Sequence, residues 1–168
     1  MDIIESKKHK GSVVKSPNLF NALQKSMIPN ILDDSTLKDL FEFRLIIEVG
    51  MADFVYSRIT PGDIRKLENI IEKNPKKSDN VLFDADHEIR FHGQLYEITG
   101  NKNLIQFQSL LLPLFGYAYK TGLIKKVVQR KSFVSHRGLL GVLKNGNADM
   151  FRNATHAHLE KHFKRILD

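Results

Sequence analysis

Residues 81–99 read VLFDADHEIRFHGQLYEIT. At about 100° per residue the stretch divides into two arcs of one helix. Leu82, Ala85, Ile89, Phe91, Leu95 and Ile98 fall on one side, and Asp86, His87, Arg90, Gln94 and Glu97 on the other. Glu88 and His92 project between Leu95 and Ile89, so both point inward, whereas His87 reads as a solvated bystander. An inward ionisable group is costly unless it is paired, hydrogen-bonded or bound to a metal. Glu88 and His92 stand at i and i+4, where Cβ atoms lie roughly 5–6 Å apart, so one ion can touch both.

Two later stretches repeat the pattern. In Lys125 to Leu143, Val128, Phe133, Leu139, Leu140, Val142 and Leu143 form the apolar arc, with Arg130, Lys131, Arg137 and Lys144 outside. His136 lies near the centre of that arc, between Leu140 and Leu143. In the last segment Phe151, Ala154, Thr155, Leu159, Phe163 and Ile166 make the stripe, and His158 is within it. His162, one turn on, is a reserve candidate; His156 falls at the edge and reads as exposed. Two readings stay open at this level. A lone inward histidine is commonly a hydrogen-bonded core residue, but three of them with a carboxylate, spread over three helices, also suit a metal centre.

Further out, the 168 residues amount to one domain with a small appendage, and 42% hydrophobic residues suffice for a core. No apolar run approaches the ~20 residues of a membrane-spanning helix. The N-terminus MDIIESKKHKGSVV has neither the apolar region nor the cleavage site of a signal peptide. Without cysteine there is no disulfide framework and no thiolate ligand, and the reducing cytoplasm is the expected compartment. The net charge of +7 permits contact with nucleic acid or other anions, but the basic residues are spread over many helix faces.

Along the chain, residues 1–15 read as a β-hairpin: Ile3 and Ile4, a basic turn from Lys7 to Gly11, then Val13 and Val14. Residues 16–35, with Pro17 and Pro29, read as a linker, with a short helix around Leu19 to Met27. Helices are expected near 36–59, 61–73, 79–99, 101–121, 124–144 and 147–167, giving an all-α antiparallel bundle of about six helices. Local signals set several ends. Thr60-Pro61-Gly62-Asp63 offers a capping-box variant with proline at the first helical position. Gly100 suits a helix C′ position and Asn101 the cap of the next helix. Pro113 should kink the helix that contains it. The first helix holds another inward polar pair, Arg44 and Glu48, among Leu37, Leu40, Phe41, Ile47, Met51, Phe54 and Val55. It is either a structural ion pair or a site where Arg44 grips a ligand carboxylate.

These residues carry a resemblance. Phe41-Glu42-Phe43-Arg44 with Glu48, Glu88-Ile89-Arg90-Phe91-His92 followed by Thr99-Gly100-Asn101, His136 with Leu139 and Leu140, Gly146-Asn147-Ala148-Asp149, and His158-Leu159 occur in that order. The chain resembles, over roughly residues 36–168, the ligand-sensing FadR-type (FCD) C-terminal domain of GntR-superfamily transcription regulators. The spacing of 22 residues from His136 to His158 is the one that family uses. In many members an aspartate and three histidines bind a divalent metal at the floor of an internal cavity. By position the resemblance implies Glu88, His92, His136 and His158, with glutamate where the family usually has aspartate. It implies zinc foremost, with nickel, manganese or iron as alternatives, a small organic acid effector that also meets Arg44, and a homodimer. The hairpin looks like the wing of a winged helix-turn-helix, with the three preceding helices missing. Lys7, Lys8 and Lys10 would then touch DNA phosphate weakly, since a recognition helix is what reads base edges. The chain is expected to be either a naturally truncated product or a fragment of a longer regulator. The reading is an effector-binding and dimerisation domain, not an enzyme. The runner-up is a metalloenzyme acting on a small organic acid, and the third reading is a metal-free dimerisation module.

Overall fold

The structure is a computed structural model that describes residues 4–9, 11–14, 20, 23, 28, 32–73, 85–120 and 134–167. Strands β1 (Ile4–Lys7) and β2 (Gly11–Val14) form the expected antiparallel hairpin, with Ile4 opposite Val14 and Lys7 opposite Gly11. Its turn passes through His9 at φ 68° and Gly11 at φ 71°, the left-handed region that glycine enters without steric cost. Ile4 and Val14 are exposed, as are Lys7 and Lys8, while Lys10 lies outside the described residues.

The rest of the described chain is helical: α1 (Asp34–Gly50), α2 (Ala52–Arg58), α3 (Pro61–Lys73), α4 (Ala85–Ile98), α5 (Lys102–Lys120), α6 (His136–Asn145) and α7 (Ala148–Leu167). The fold is all-α, as the hydrophobic periods require. The expected helix over 36–59 divides in two at Met51, whose ψ of −1° interrupts the regular helical path while its N–H still reaches the Ile47 carbonyl. Gly50, a poor helix former, ends the first half. The expectations for 79–84 and 124–133, and most of the short helix around Leu19 to Met27, lie outside the described residues.

Capping at α3 and α5 proceeds as the sequence suggests, whereas the helix expected over 124–144 is broken at Val134 and Ser135, where Ser135 is extended and α6 starts. Thr60 and Asp63 bond reciprocally, Asp63 N donating to Thr60 Oγ1 and Thr60 N to Asp63 Oδ2, at 3.2 Å each. Gly100 has φ 62°, and Asn101 Oδ1 accepts from Asn103 N at 3.0 Å. Ser135 caps α6 by accepting from Gly138 N at 3.1 Å. Asn147 caps α7 by accepting from Met150 N at 2.9 Å. Pro113 falls inside α5.

The main core joins Met51, Ala52 and Val55 to Leu67 and Ile71, Phe91 and Leu95, Leu139 and Leu143, and Phe151. Much of the predicted arcs of 81–99, 125–143 and the last segment lies in this core, with Phe91, Leu95, Leu139, Leu143 and Phe151 all buried. Helix α4 packs on α2, α3 and α5, while α7 packs on α1, α2 and α6. A smaller cluster of Leu37, Phe41, Leu111 and Leu114 ties α1 to α5. Phe54, expected inside, is instead 51% exposed. Met51, Ala52 and Val55 turn α2 toward the core, and Phe54 is left outside with the Arg58 guanidinium 5.4 Å from its ring centre.

Candidate metal centre

Helix α4 supplies Glu88 and His92, one turn apart; α6 supplies His136 at its first residue; α7 supplies His158. The bundle brings these four together, with one ligand-type atom from each lying within 4.8 Å of every other. All three histidines are buried and Glu88 is nearly so. His92 Nε2 stands 3.3 Å from both His136 Nε2 and His158 Nε2. Glu88 Oε2 is 3.3 Å from His92 Nε2, and Glu88 Oε1 is 3.4 Å from His136 Nε2.

Those separations bear on what the cluster can hold. A tetrahedral ion with ligands at about 2.0–2.1 Å has ligand-to-ligand edges of about 3.3–3.4 Å. Neutral imidazole nitrogens at this spacing set lone pairs against one another unless a proton or a cation lies between them. Glu88 Oε2 is buried and has no hydrogen-bond partner among the described residues. An orphaned carboxylate oxygen facing three convergent nitrogens fits a divalent cation.

Two of the three rings have a partner behind them. His158 Nδ1 lies 2.6 Å from the Val134 carbonyl, which can only accept, so Nδ1 carries the proton and Nε2 keeps its lone pair. His92 Nδ1 lies 2.7 Å from Glu48 Oε2, although the pair is not aligned as a regular hydrogen bond. Glu48 Oε1 in turn accepts from Arg44 Nε at 2.5 Å. The Arg44–Glu48 pair therefore exists and is buried, and it abuts the cluster.

The charges divide accordingly. Burial alone would raise Glu48, but Arg44 and then His92 hold it at about 2. Burial likewise opposes ionisation of Glu88, and the three histidines, His136 first, outweigh it and hold the group well below the usual carboxylate range. Burial disfavours a charged His92 ring, yet Glu48 and Glu88 keep it at about 9. His158 is pushed down to about 4 by burial and then by His92. His136 is pushed well below the ordinary histidine value, chiefly by burial, against the pull of Glu88. Two rings are thus neutral, the form that ligates metals, and the cluster balances one cationic ring against Glu88.

Two expectations need correction or extension. His87 is 3% exposed, not solvated, and its ring centre lies 4.9 Å from that of His136. It stands four residues before the fully buried Phe91, so the inward arc of α4 is wider than the sequence reading allowed. Glu48 was read only as the partner of Arg44. A carboxylate with one oxygen on arginine still offers a second, and its inward position on α1 was the available signal. His156 is exposed, as expected. Helix α7 runs through His162, whose side chain lies outside the described ones.

Comparison with known proteins identifies the family. The FCD domain model matches residues 39–161. The Uxu operon regulator of Haemophilus influenzae is 26% identical over 164 residues, covering 94% of this chain. The HTH-type transcriptional regulator LutR of Bacillus subtilis is 22% identical over 164 residues, covering 95% of this chain. The chain spans 60% of the length of the first relative and 75% of the second. Among solved structures, Streptococcus agalactiae GntR superposes with a TM-score of 0.58 at 20% identity, over 97% of this chain and 74% of that one, a likeness of fold. With most of its helical part matched, the chain belongs to the FCD-domain family, and the two relatives it resembles are named as regulators.

Proposed function

We propose that this domain senses a small organic acid through a divalent metal, zinc foremost, held by Glu88, His92, His136 and His158. Nickel, manganese and iron are the alternatives that an N3O donor set admits. The observation that carries the reading is the convergence of one ligand-type atom from each of the four residues within 4.8 Å of one another, with His92 Nε2 3.3 Å from both other histidines. When bound, the metal supplies a Lewis-acid position for a carboxylate oxygen. Arg44, whose charge acts on both Glu48 and Glu88, would receive a further acidic group of the effector. The chain would act as a homodimer in the cytoplasm. The hairpin of β1 and β2 would be the wing of a winged helix (residues 1–15), joined by a linker (16–35) to the sensing domain (36–168). Lys7, Lys8 and Lys10 would then touch DNA phosphate with no choice of sequence, a contact that weakens steeply with salt.

The test is thermal unfolding of the metal-loaded and metal-stripped chain with a panel of small mono-, di- and hydroxycarboxylic acids. A ligand specific for the folded state stabilises it by about 2.7 kcal/mol at a hundred times its dissociation constant. The shift is expected in the loaded protein and not in the stripped one. Arg44→Ala should reduce it by more than any accompanying loss of bound metal accounts for. A separate cleft of about 220 Å³ between α3 and α4, lined by Lys66, Asn69, Ile70, Lys73, Arg90 and Gln94, also carries basic side chains and needs to be told apart from this site. Binding there would be independent of metal, so equal shifts in both forms would contradict the proposal.

A further inference from the structure

We infer that Glu48 is the positioning residue of the metal centre, holding Nδ1 of His92 so that Nε2 faces the ion. The inference rests on the metal reading above and extends it to a fourth helix. An imidazole has two nitrogens, and the partner of one decides which face the other presents. For His158 that partner is a neutral backbone carbonyl. For His92 it is a fully buried carboxylate, 2.7 Å away.

The carboxylate is itself fixed. Arg44, one turn earlier on α1, takes Oε1 at 2.5 Å and leaves Oε2 for the ring. Helix geometry therefore sets the rotamer of Glu48, and the arginine fork keeps its charge satisfied. A purely structural ion pair would explain Arg44 and Oε1. It gives no reason for the second oxygen to lie against the rear nitrogen of the ring whose Nε2 is common to both short histidine contacts. A carboxylate there also makes His92 a stronger donor than His158, because a negative partner raises the basicity of the ligating nitrogen. Glu48 sits on α1, whereas the ligands come from α4, α6 and α7. Metal binding would therefore be felt by the helix that carries Arg44.

The test is a chelator-competition titration with zinc on the full chain, comparing wild type with Glu48→Gln, which keeps the shape and removes the charge. Zinc affinity should fall ten- to a hundredfold. Long-range nitrogen–proton spectra of the zinc-loaded imidazoles should show the His92 ring signals displaced and those of His158 in place. If Glu48→Gln fails to fold, Arg44→Met/Glu48→Gln, which strands no cation, carries the same comparison. An affinity within twofold of wild type, or an unmoved His92 signature in the folded variant, overturns the inference. Absence of zinc uptake by the wild type overturns the metal reading and this inference with it. Equal zinc affinity in wild type and folded variant overturns this inference alone.

Discussion

Glu88, His92, His136 and His158 are dispersed over 70 positions of sequence, and each meets the cluster because it occupies the inward arc of its own helix. His136→Ala and His158→Ala should each lower metal content and melting temperature together, since metal binding and folding are linked. His156→Ala and His162→Ala should change neither. Metal analysis beside calorimetry of the four variants checks this, and normal metal in both of the first two would remove those residues from the centre. The four side chains were legible because a helical wheel shows an ionisable group among leucines. The contact of Glu48 with His92 was not, because it joins residues 44 apart on helices whose relative placement no periodicity encodes. His87 was misread for a related cause: the width of a buried arc depends on what packs on it, here the ring of His136.

At the scale of elements, caps decide where α3, α5, α6 and α7 begin. Ser135 caps α6 immediately before the ligand-type residue His136. Ser135→Ala should cost about 1 kcal/mol, and it should weaken metal binding by fraying the turn that holds His136. Chemical denaturation and metal titration of that variant measure the two effects, and an unchanged metal affinity would show that the turn is held by packing instead. Leu139, fully buried on the same helix, should cost about 2–5 kcal/mol as Leu139→Ala. On α3, the bonds from Thr60 hold Asp63 below its ordinary value. A depressed carboxyl stabilises the fold above its unfolded value, about 3.9, and that contribution is lost as pH falls through the folded value. The stability gap between wild type and Asp63→Ala should therefore be full near neutrality and shrink below about pH 4. A gap that stays constant or widens on acidification would contradict this. The caps of α3 and α5 are written in a few adjacent residues and were readable from the chain, whereas Ser135 falls inside the helix expected over 124–144 and was not read as a cap. The break at Met51 has only Gly50 as a local sign and depends on how α2 meets the core.

For the whole molecule, three helices from distant parts of the chain converge on one polar cluster inside an apolar bundle, and a fourth supports it through Glu48. Without a cation the cluster encloses a carboxylate and three imidazoles in an apolar bundle, and their polar atoms are satisfied only in part, Glu88 Oε2 having no hydrogen-bond partner among the described residues. Removing the metal should lower the melting temperature of the whole domain in one step, because the ligand-bearing helices share its core. The most direct measurement is the metal content of the intact 168-residue chain purified without chelator, by elemental analysis against protein concentration. Close to one divalent ion per chain is expected, lost together with His136 or His158. A folded chain that carries no metal and takes up none on dialysis against zinc, nickel, manganese or iron would contradict the central claim and leave the four side chains as a buried polar network.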